Sequence, residues 1–192
     1  MRTLFVATAV ILFCLIMVPG ASHAYEWDKQ QYELGVKIGT IFAGEVWIDP
    51  PDRSFDTDSG TMFALRADSV VTPKMSMGMF IHQITNSTGG GDDITTTGIG
   101  ATLKLRLTAS PDLQIRPGVL FGYNFSIGSE AFKEDATGME VGAFVEAAYH
   151  LQDGHMLTGE LGFVAQPVGG NSDIDMTYGP TVYFLIGYAF GK

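Results

Sequence analysis

The sequence predicts an all-β protein: an eight-stranded antiparallel up-and-down transmembrane β-barrel, preceded by a cleaved N-terminal signal peptide. In eight segments of the 192-residue chain, large apolar residues alternate with small, polar or charged ones. Side chains on a β-strand point to opposite faces with this same period of two. The apolar faces carry no charge, whereas ten charged residues fall on the opposite faces. Connections between the segments are alternately long and short.

Residues 1–24 have the composition of a secretory signal peptide. A basic start at Arg2 precedes the apolar run 4–18, and small residues at Ser22 and Ala24 suit a signal peptidase. The alternative is an uncleaved anchor, but the run is shorter than the roughly 20 residues that a spanning helix needs. We therefore expect cleavage after Ala24, leaving residues 25–192 as one barrel domain.

Cysteine use limits the chemistry of the mature chain. The only cysteine, Cys14, lies inside the predicted signal peptide. The mature chain therefore has no disulfide and no thiolate metal site, and we expect no cofactor.

The alternation is clear in each predicted strand. In the first strand Leu34 and Val36 alternate with Glu33 and Lys37. The predicted strands cover residues 32–43, 63–71, 75–82, 98–107, 114–125, 139–150, 157–166 and 178–190. Pro117 lacks the N–H that a ladder needs, which indicates a bulge in the fifth strand.

The connections predict the orientation in a membrane. Short turns are expected at 72–74, 108–112 and 152–155, and long loops at 44–60, 84–93, 126–137 and 168–176. Barrels of the outer membrane have short periplasmic turns and longer outer loops. Aromatic residues near the strand ends are expected to form two interfacial girdles: Phe42, Phe63, Tyr123, Phe125 and Tyr178 at the outer end, and Tyr32, Tyr149, Tyr188 and Phe190 at the periplasmic end.

A soluble barrel of the lipocalin type is the alternative fold. It would place large apolar side chains inside and charges outside. Here the face with Met75, Met77 and Met79 would then be part of a very large apolar surface in water. The polarity favours the membrane barrel.

The inward face of the predicted barrel carries a balanced set of charges. Its members are Glu33, Lys37, Arg66, Asp68, Lys104, Arg106, Arg116, Glu140, Glu146 and Glu160, five acids and five bases. Because buried charges are costly unless paired, we expect an ion-pair cluster with a structural role. An eight-stranded interior is just wide enough for side chains to fill it, which predicts a plugged lumen. A proton or ion path is the functional alternative.

The predicted long loops are strongly acidic. They hold twelve acids against Arg53 and Lys133, a net of −10 that equals the formal charge of the whole chain. A nucleic-acid partner is disfavoured, because it would need a basic surface. The acids could hold divalent cations, as at Asp52, Asp56 and Asp58, or a cationic extracellular ligand; the simplest interpretation is a solvated, repulsive surface near lipopolysaccharide.

The histidines do not form a recognisable catalytic motif. His82 and His150 are predicted to point inward, and His155 lies in a short turn. None is followed two residues later by serine, as the family of lipid A deacylases requires. We expect no catalytic residues and no metal site.

The final strand, 183–190, ends in Tyr188 and Phe190, similar to the aromatic signal read by the barrel assembly machinery. With the signal peptide and the inward ion-pair set, the mature chain resembles the small eight-stranded barrels of the OmpA transmembrane domain and OmpX. It departs from their pattern in that Gly191 and Lys192 follow the last aromatic residue. The resemblance implies a Gram-negative outer membrane, contact with its lipids and lipopolysaccharide, and a non-catalytic role in envelope integrity or surface interaction. A lipid A-modifying enzyme and a small channel or carrier for ions or apolar compounds are the alternatives.

Overall fold

The computed structural model describes residues 26–50, 52–87, 93–128 and 136–192. The predicted signal peptide lies outside them. A short 3-10 helix, Trp27–Lys29, precedes strands β1 (Tyr32–Ile41), β2 (Gly44–Asp49), β3 (Arg53–Thr57), β4 (Gly60–Thr72), β5 (Met75–Ser87), β6 (Asp93–Leu105), β7 (Leu107–Ser110), β8 (Leu113–Gly128), β9 (Ala136–Gln152), β10 (His155–Gly170) and β11 (Asp175–Gly191). In the described ranges, no helix has the length and apolar character needed to cross a membrane.

Eight strands form a closed antiparallel wall, as predicted. Their order is β1–β4–β5–β6–β8–β9–β10–β11, and β7 continues the wall beside β8. Pairing of β1 with β11, from Glu33 opposite Gly191 to Ile41 opposite Tyr183, closes the barrel. Among the described residues, closure leaves no free edge within the eight-stranded wall, and only β3 of the outer hairpin ends the sheet. A sheet in lipid needs such closure, because no water is present there to satisfy the backbone.

The polarity of the wall confirms the membrane barrel and excludes the soluble alternative. On β1 the side chain of Ile38 is 59% exposed, whereas that of Lys37 is only 2% exposed. On β5 Met79 is 62% exposed and Phe80 is 1% exposed. Apolar side chains therefore face outward to lipid, and the lumen holds the charged residues.

The predicted long loops are wrong in extent, because much of their length is strand. In place of a loop at 44–60, β2 and β3 form a hairpin, and β2 pairs with the start of β11. Strands β5 and β6 continue to Ser87 and Asp93, and only residues 171–174 join β10 to β11. The wall thus extends outward beyond the predicted strands, with the hairpin adding two strands beside β11.

The predicted bulge at Pro117 is also wrong. Pro117 pairs with Val145 without a register shift. On its other side the strand is interrupted between β6 and β7 at Arg106, whose backbone N–H continues the β5–β6 register by bonding to the carbonyl oxygen of Lys74 at 2.9 Å. The same register resumes at Leu107. The missing proline donor therefore interrupts the ladder without shifting it.

Tyr178 does not belong to the outer aromatic girdle. The β10–β11 register shifts between Val164 and Gln166, opposite the segment from Tyr178 to Thr181. The shift turns Tyr178 toward the lumen, where its hydroxyl lies 3.1 Å from that of Thr57. A one-residue slip of this kind exchanges the two faces of a strand.

Close approach of neighbouring strands makes Gly100 a sensitive position. A Cβ there would lie 2.2 Å from the carbonyl oxygen of Phe121, whereas a Cβ at Gly159 would meet nothing within 4 Å. We expect Gly100→Ala to lower the free energy of unfolding by about 1–3 kcal/mol, because backbone atoms must move. Gly159→Ala is the matched control and should be nearly neutral. Urea titration of both variants refolded in detergent measures this; equal stability of the two would contradict the close packing.

Candidate functional site: the barrel lumen

Glu146 of β9 is the centre of the ion network in the lumen. Its side chain is fully buried and contacts cations from three other strands. The Nζ of Lys37 on β1 donates to Oε2, Nη1 of Arg116 on β8 lies 2.9 Å from Oε1, and Nζ of Lys104 on β6 lies 3.4 Å from Oε2. One carboxylate therefore ties together strands from opposite sides of the barrel.

Glu160 of β10 carries the network toward β4. Its Oε2 lies 2.5 Å from Nζ of Lys37, while Oε1 accepts hydrogen bonds from Arg66 and, at 2.7 Å, from the hydroxyl of Tyr183. Tyr183 is fully buried on β11. Charge-assisted hydrogen bonds in a water-poor interior are strong, so these contacts hold β1, β4, β10 and β11 in register.

Two further acids complete the network at its edges. Asp68 receives hydrogen bonds from Lys104 at 2.8 Å and from Thr102 at 3.0 Å. Glu33 lies 2.7 Å from Nη1 of Arg116. The network then contains four acids and four bases, and its formal charges cancel.

Apolar and aromatic side chains cover one side of this network. The guanidinium carbon of Arg66 lies 4.7 Å from the ring centroid of Phe144 and 5.8 Å from that of Phe80. Both rings belong to a buried cluster inside the barrel with Ile41, Met62, Ala64, Ile84, Leu120, Val164, Tyr183 and Leu185. Cation–π contact and the apolar cluster fill the lumen at this level.

The periplasmic end of the lumen is filled by the N-terminal segment. Trp27 is 4% exposed, and its indole N–H donates to the carbonyl oxygen of Pro111 at 2.9 Å. Arg116 lies over its ring, 5.4 Å from the centroid. Arg106 donates to the Trp27 carbonyl oxygen and to the side chain of Gln30. The segment before β1 therefore closes the short-turn end.

Glu140 lies apart from the main network, on the outer side of the aromatic layer. Its Oε2 is 3.0 Å from Nε2 of His82, whose ring stacks on Phe80 with a centroid distance of 5.0 Å. A cavity of about 20 Å³ adjoins this pair and is lined by Glu140, Asn124, Gln166, Tyr178 and neighbouring residues. Arg106 and Glu140, predicted to be part of one cluster, are thus near opposite ends of the lumen.

The outer rim carries closely spaced acids in the described residues. Asp49 on β2 pairs directly with Asp175 on β11, and Glu45 pairs with Asp56 on the hairpin. Asp92, Glu130, Lys133, Glu134 and Asp135, also predicted on the rim, lie outside the described residues. Like charges on paired strands repel, so the rim has a strongly negative potential.

The remaining predicted residues lie at the periplasmic end. His150 is buried near Trp27, with ring centroids 6.2 Å apart. His155 contacts the hydroxyl of Tyr188 through Nδ1 and packs near Phe190 with centroids 5.2 Å apart. Tyr188 is 41% exposed on the lipid-facing side. The role of Tyr188 and Phe190 as an assembly signal stays a prediction.

Sequence reasoning missed several lumen residues. Trp27, Gln30 and Tyr183 all contact charged side chains, yet none was a candidate. The inward period of β11 could have identified Tyr183. No comparable signal marks Trp27, because it precedes the first strand and follows no alternation.

Removal of the central charge tests the network. We expect Glu146→Gln to lower the free energy of unfolding by about 3–5 kcal/mol, because three buried cations lose a shared counter-ion. Asp52→Asn removes one acid from an exposed position and should change stability little. Urea titration of both proteins in detergent, at equal ionic strength, measures the difference; a neutral Glu146→Gln would contradict the central role of this carboxylate.

The architecture has counterparts among known proteins. The family model for the outer membrane protein beta-barrel domain matches residues 10–190. The structure is similar to outer membrane protein OprG from Pseudomonas aeruginosa, with 13% identity, a TM-score of 0.61 and coverage of 85% of this chain and 96% of that chain. It is also similar to Neisserial surface protein A, with 10% identity, a TM-score of 0.64 and coverage of 84% of this chain and 96% of that chain. A major outer membrane protein from Thermus thermophilus shares 13% identity, with a TM-score of 0.52 and coverage of 84% of this chain and 99% of that chain. None of the curated proteins matches.

At these identities the structural likeness shows the fold alone, whereas the family match spans most of the chain. Fold and family together place the protein in the outer membrane of a Gram-negative bacterium. The chain belongs to the outer membrane protein β-barrel domain family.

Proposed function

We propose that this protein is a closed, non-catalytic barrel that acts through its outer end, in envelope integrity or in contacts at the cell surface. The observation that carries the proposal is the filling of the lumen at successive levels. Trp27 lies at the periplasmic end, the network around Glu146 lies above it, and the layer of Phe80 and Phe144 follows. A hydrated solute would have to displace all three.

The energetics of the lumen favour a closed state. Lys37, Lys104, Arg116 and Glu146 are at most 2% exposed and hold one another through several contacts each. Opening a path through them would separate charges in a low-dielectric interior, at a cost of several kcal/mol for each buried charge left without its partner. The network therefore supports a structural role over an ion path.

The outer end offers the surface for interaction. The β2–β3 hairpin and the extended strands project an acidic rim, including the Asp49–Asp175 pair. Such a rim suits a cationic extracellular ligand, or divalent cations shared with lipopolysaccharide, by its charge and oxygen ligands. Contact with membrane lipids through the apolar wall, and delivery by the barrel assembly machinery through Tyr188 and Phe190, belong to the same proposal.

Single-channel recording tests closure of the lumen. We expect purified protein in a planar bilayer to show no conductance steps beyond those of the protein-free bilayer, because the buried ion network, Trp27 and the aromatic layer occupy the lumen. Trp27→Gly should remain silent as well, since the network and the aromatic layer still fill the lumen. The folded state of each sample is checked by the mobility shift between unboiled and boiled gel samples. Regular conductance steps from the wild-type protein would overturn the proposal.

A carrier for small apolar compounds is the second candidate. The observation that favours it is a buried apolar cluster in the outer extension, formed by Val46, Ile48, Ala136 and Met176. Phe55, Ile174 and Tyr178 pack against it. An apolar compound would find complementary surface at this level, above the charged network.

Dye uptake distinguishes the candidates. If the outer extension accepts apolar compounds, cells that produce the protein should take up the apolar dye N-phenyl-1-naphthylamine faster than cells that produce Ile48→Arg, because a buried charge would block the cluster. The control Trp47→Arg changes the neighbouring, 41% exposed side chain on the other face of β2. Equal uptake by all three strains, with equal amounts of folded protein, would exclude the carrier.

A further inference from the structure

We propose that the outer half of the lumen contains a binding site for one small monovalent cation, with Glu140 as the charged ligand and Asn124 as a second oxygen ligand. This site goes beyond the closed surface barrel proposed above. Its argument starts from two buried acceptors. Oε1 of Glu140 and Oδ1 of Asn124 have no hydrogen-bond partner in the described part of the chain. The two residues are 1% and 3% exposed.

Both residues line the same small space. Glu140 and Asn124 line the cavity of about 20 Å³ described above. A cavity needs roughly 10–15 Å³ of such volume to hold one water molecule, so this one has room for an ion or molecule of that size. Asn124 pairs with Gly138 across β8 and β9, two residues from Glu140 on the same inward face. The register therefore brings the carboxylate and the amide together.

Glycines make the room that the site needs. A Cβ at Gly98 would lie 2.4 Å from Nε2 of His82 and 2.6 Å from Oε2 of Glu140. A Cβ at Gly138 would lie 2.5 Å from Nε2 of Gln166. Larger residues at either position would push these side chains into the cavity. Gly98 and Gly138 lie opposite Asn124 on the two neighbouring strands and have no side chains, so they keep the space open.

The charge around Glu140 calls for a cation. Its Oε2 lies 3.0 Å from Nε2 of His82, and this nitrogen donates in the tautomer that carries the proton there. The four bases of the main network pair with Glu33, Asp68, Glu146 and Glu160, and both Arg66 and His82 contact the ring of Phe80. His82 covers only Oε2 of Glu140, so Oε1 is left without a donor in the described residues, and one monovalent cation would supply the missing contact.

The donor set and the approach both suit such an ion. Carboxylate and amide oxygens are ligands for hard cations and hydrogen-bond acceptors for ammonium, so an alkali ion and ammonium share the required chemistry. The acidic rim outside the cavity, with Asp49 and Asp175 on paired strands, raises the local concentration of cations.

Ion-specific stability tests the proposal. Protein refolded in zwitterionic detergent is unfolded with urea in sodium, potassium or ammonium chloride, each at the same ionic strength as N-methylglucammonium chloride, whose cation is too large for the cavity. We expect at least one small cation to raise the unfolding midpoint with saturation, because a ligand that binds only the folded state stabilises it. The three salts distinguish an alkali ion from ammonium. No difference from N-methylglucammonium means that the cavity holds water only and overturns the proposal.

Two variants separate the site from the rim. Glu140→Gln should abolish the cation-specific rise, whereas Asp52→Asn, which removes one charge at an exposed position, should keep it. If Glu140→Gln does not refold, Asn124→Ala should weaken the saturating effect at least severalfold. Broadening of the sodium-23 resonance by folded wild-type protein gives a second readout. A cation effect that persists unchanged in Glu140→Gln and Asn124→Ala would assign binding to the acidic rim and overturn the proposal.

Discussion

The contacts of Glu146 with three cations are the interaction on which the lumen depends. Lys37, Lys104 and Arg116 reach it from β1, β6 and β8, which belong to different parts of the wall. Backbone pairing alone joins only adjacent strands. The shared carboxylate adds contacts across the interior, and its low dielectric strengthens them while making any missing partner costly. The ion network therefore has two effects: it fills the barrel, and it restrains the cross-section of the barrel.

The need to pair buried charges also explains the order of the layers along the lumen. Arg66 lies between the carboxylate of Glu160 and the face of Phe144, so its planar guanidinium joins the ionic layer to the aromatic one. At the other side Arg116 joins Glu146 to the ring of Trp27. Arginine suits both boundaries, because it forms hydrogen bonds in its plane and stacks through its face. The two arginines thus join neighbouring layers by direct contact.

Period-two alternation predicted the eight wall strands well, since lipid on one side and a charged lumen on the other impose opposite demands on successive residues. It did not predict the β2–β3 hairpin, although Val46 and Ile48 are buried and Trp47 is exposed. The hairpin is short, Pro50 follows its first strand, and its pairing with β11 joins residues far apart in the sequence. Alternation also shows which face of the sheet a side chain is on, but not which side chain it contacts. It therefore placed Glu140 in the lumen but could not predict its contact with His82.

The zero net charge of the lumen conceals a separation. Eight of the ten inward charges cancel within the network around Glu146, but Arg106 and Glu140 lie near opposite ends. Arg106 is held by oxygens of Trp27, Gln30 and Gln114 close to the periplasmic mouth. Glu140 lies beyond the aromatic layer, toward an end that is already acidic. The outer lumen and rim therefore form one region of negative potential, and position along the barrel decides its preference for cations more than the sum of the charges does.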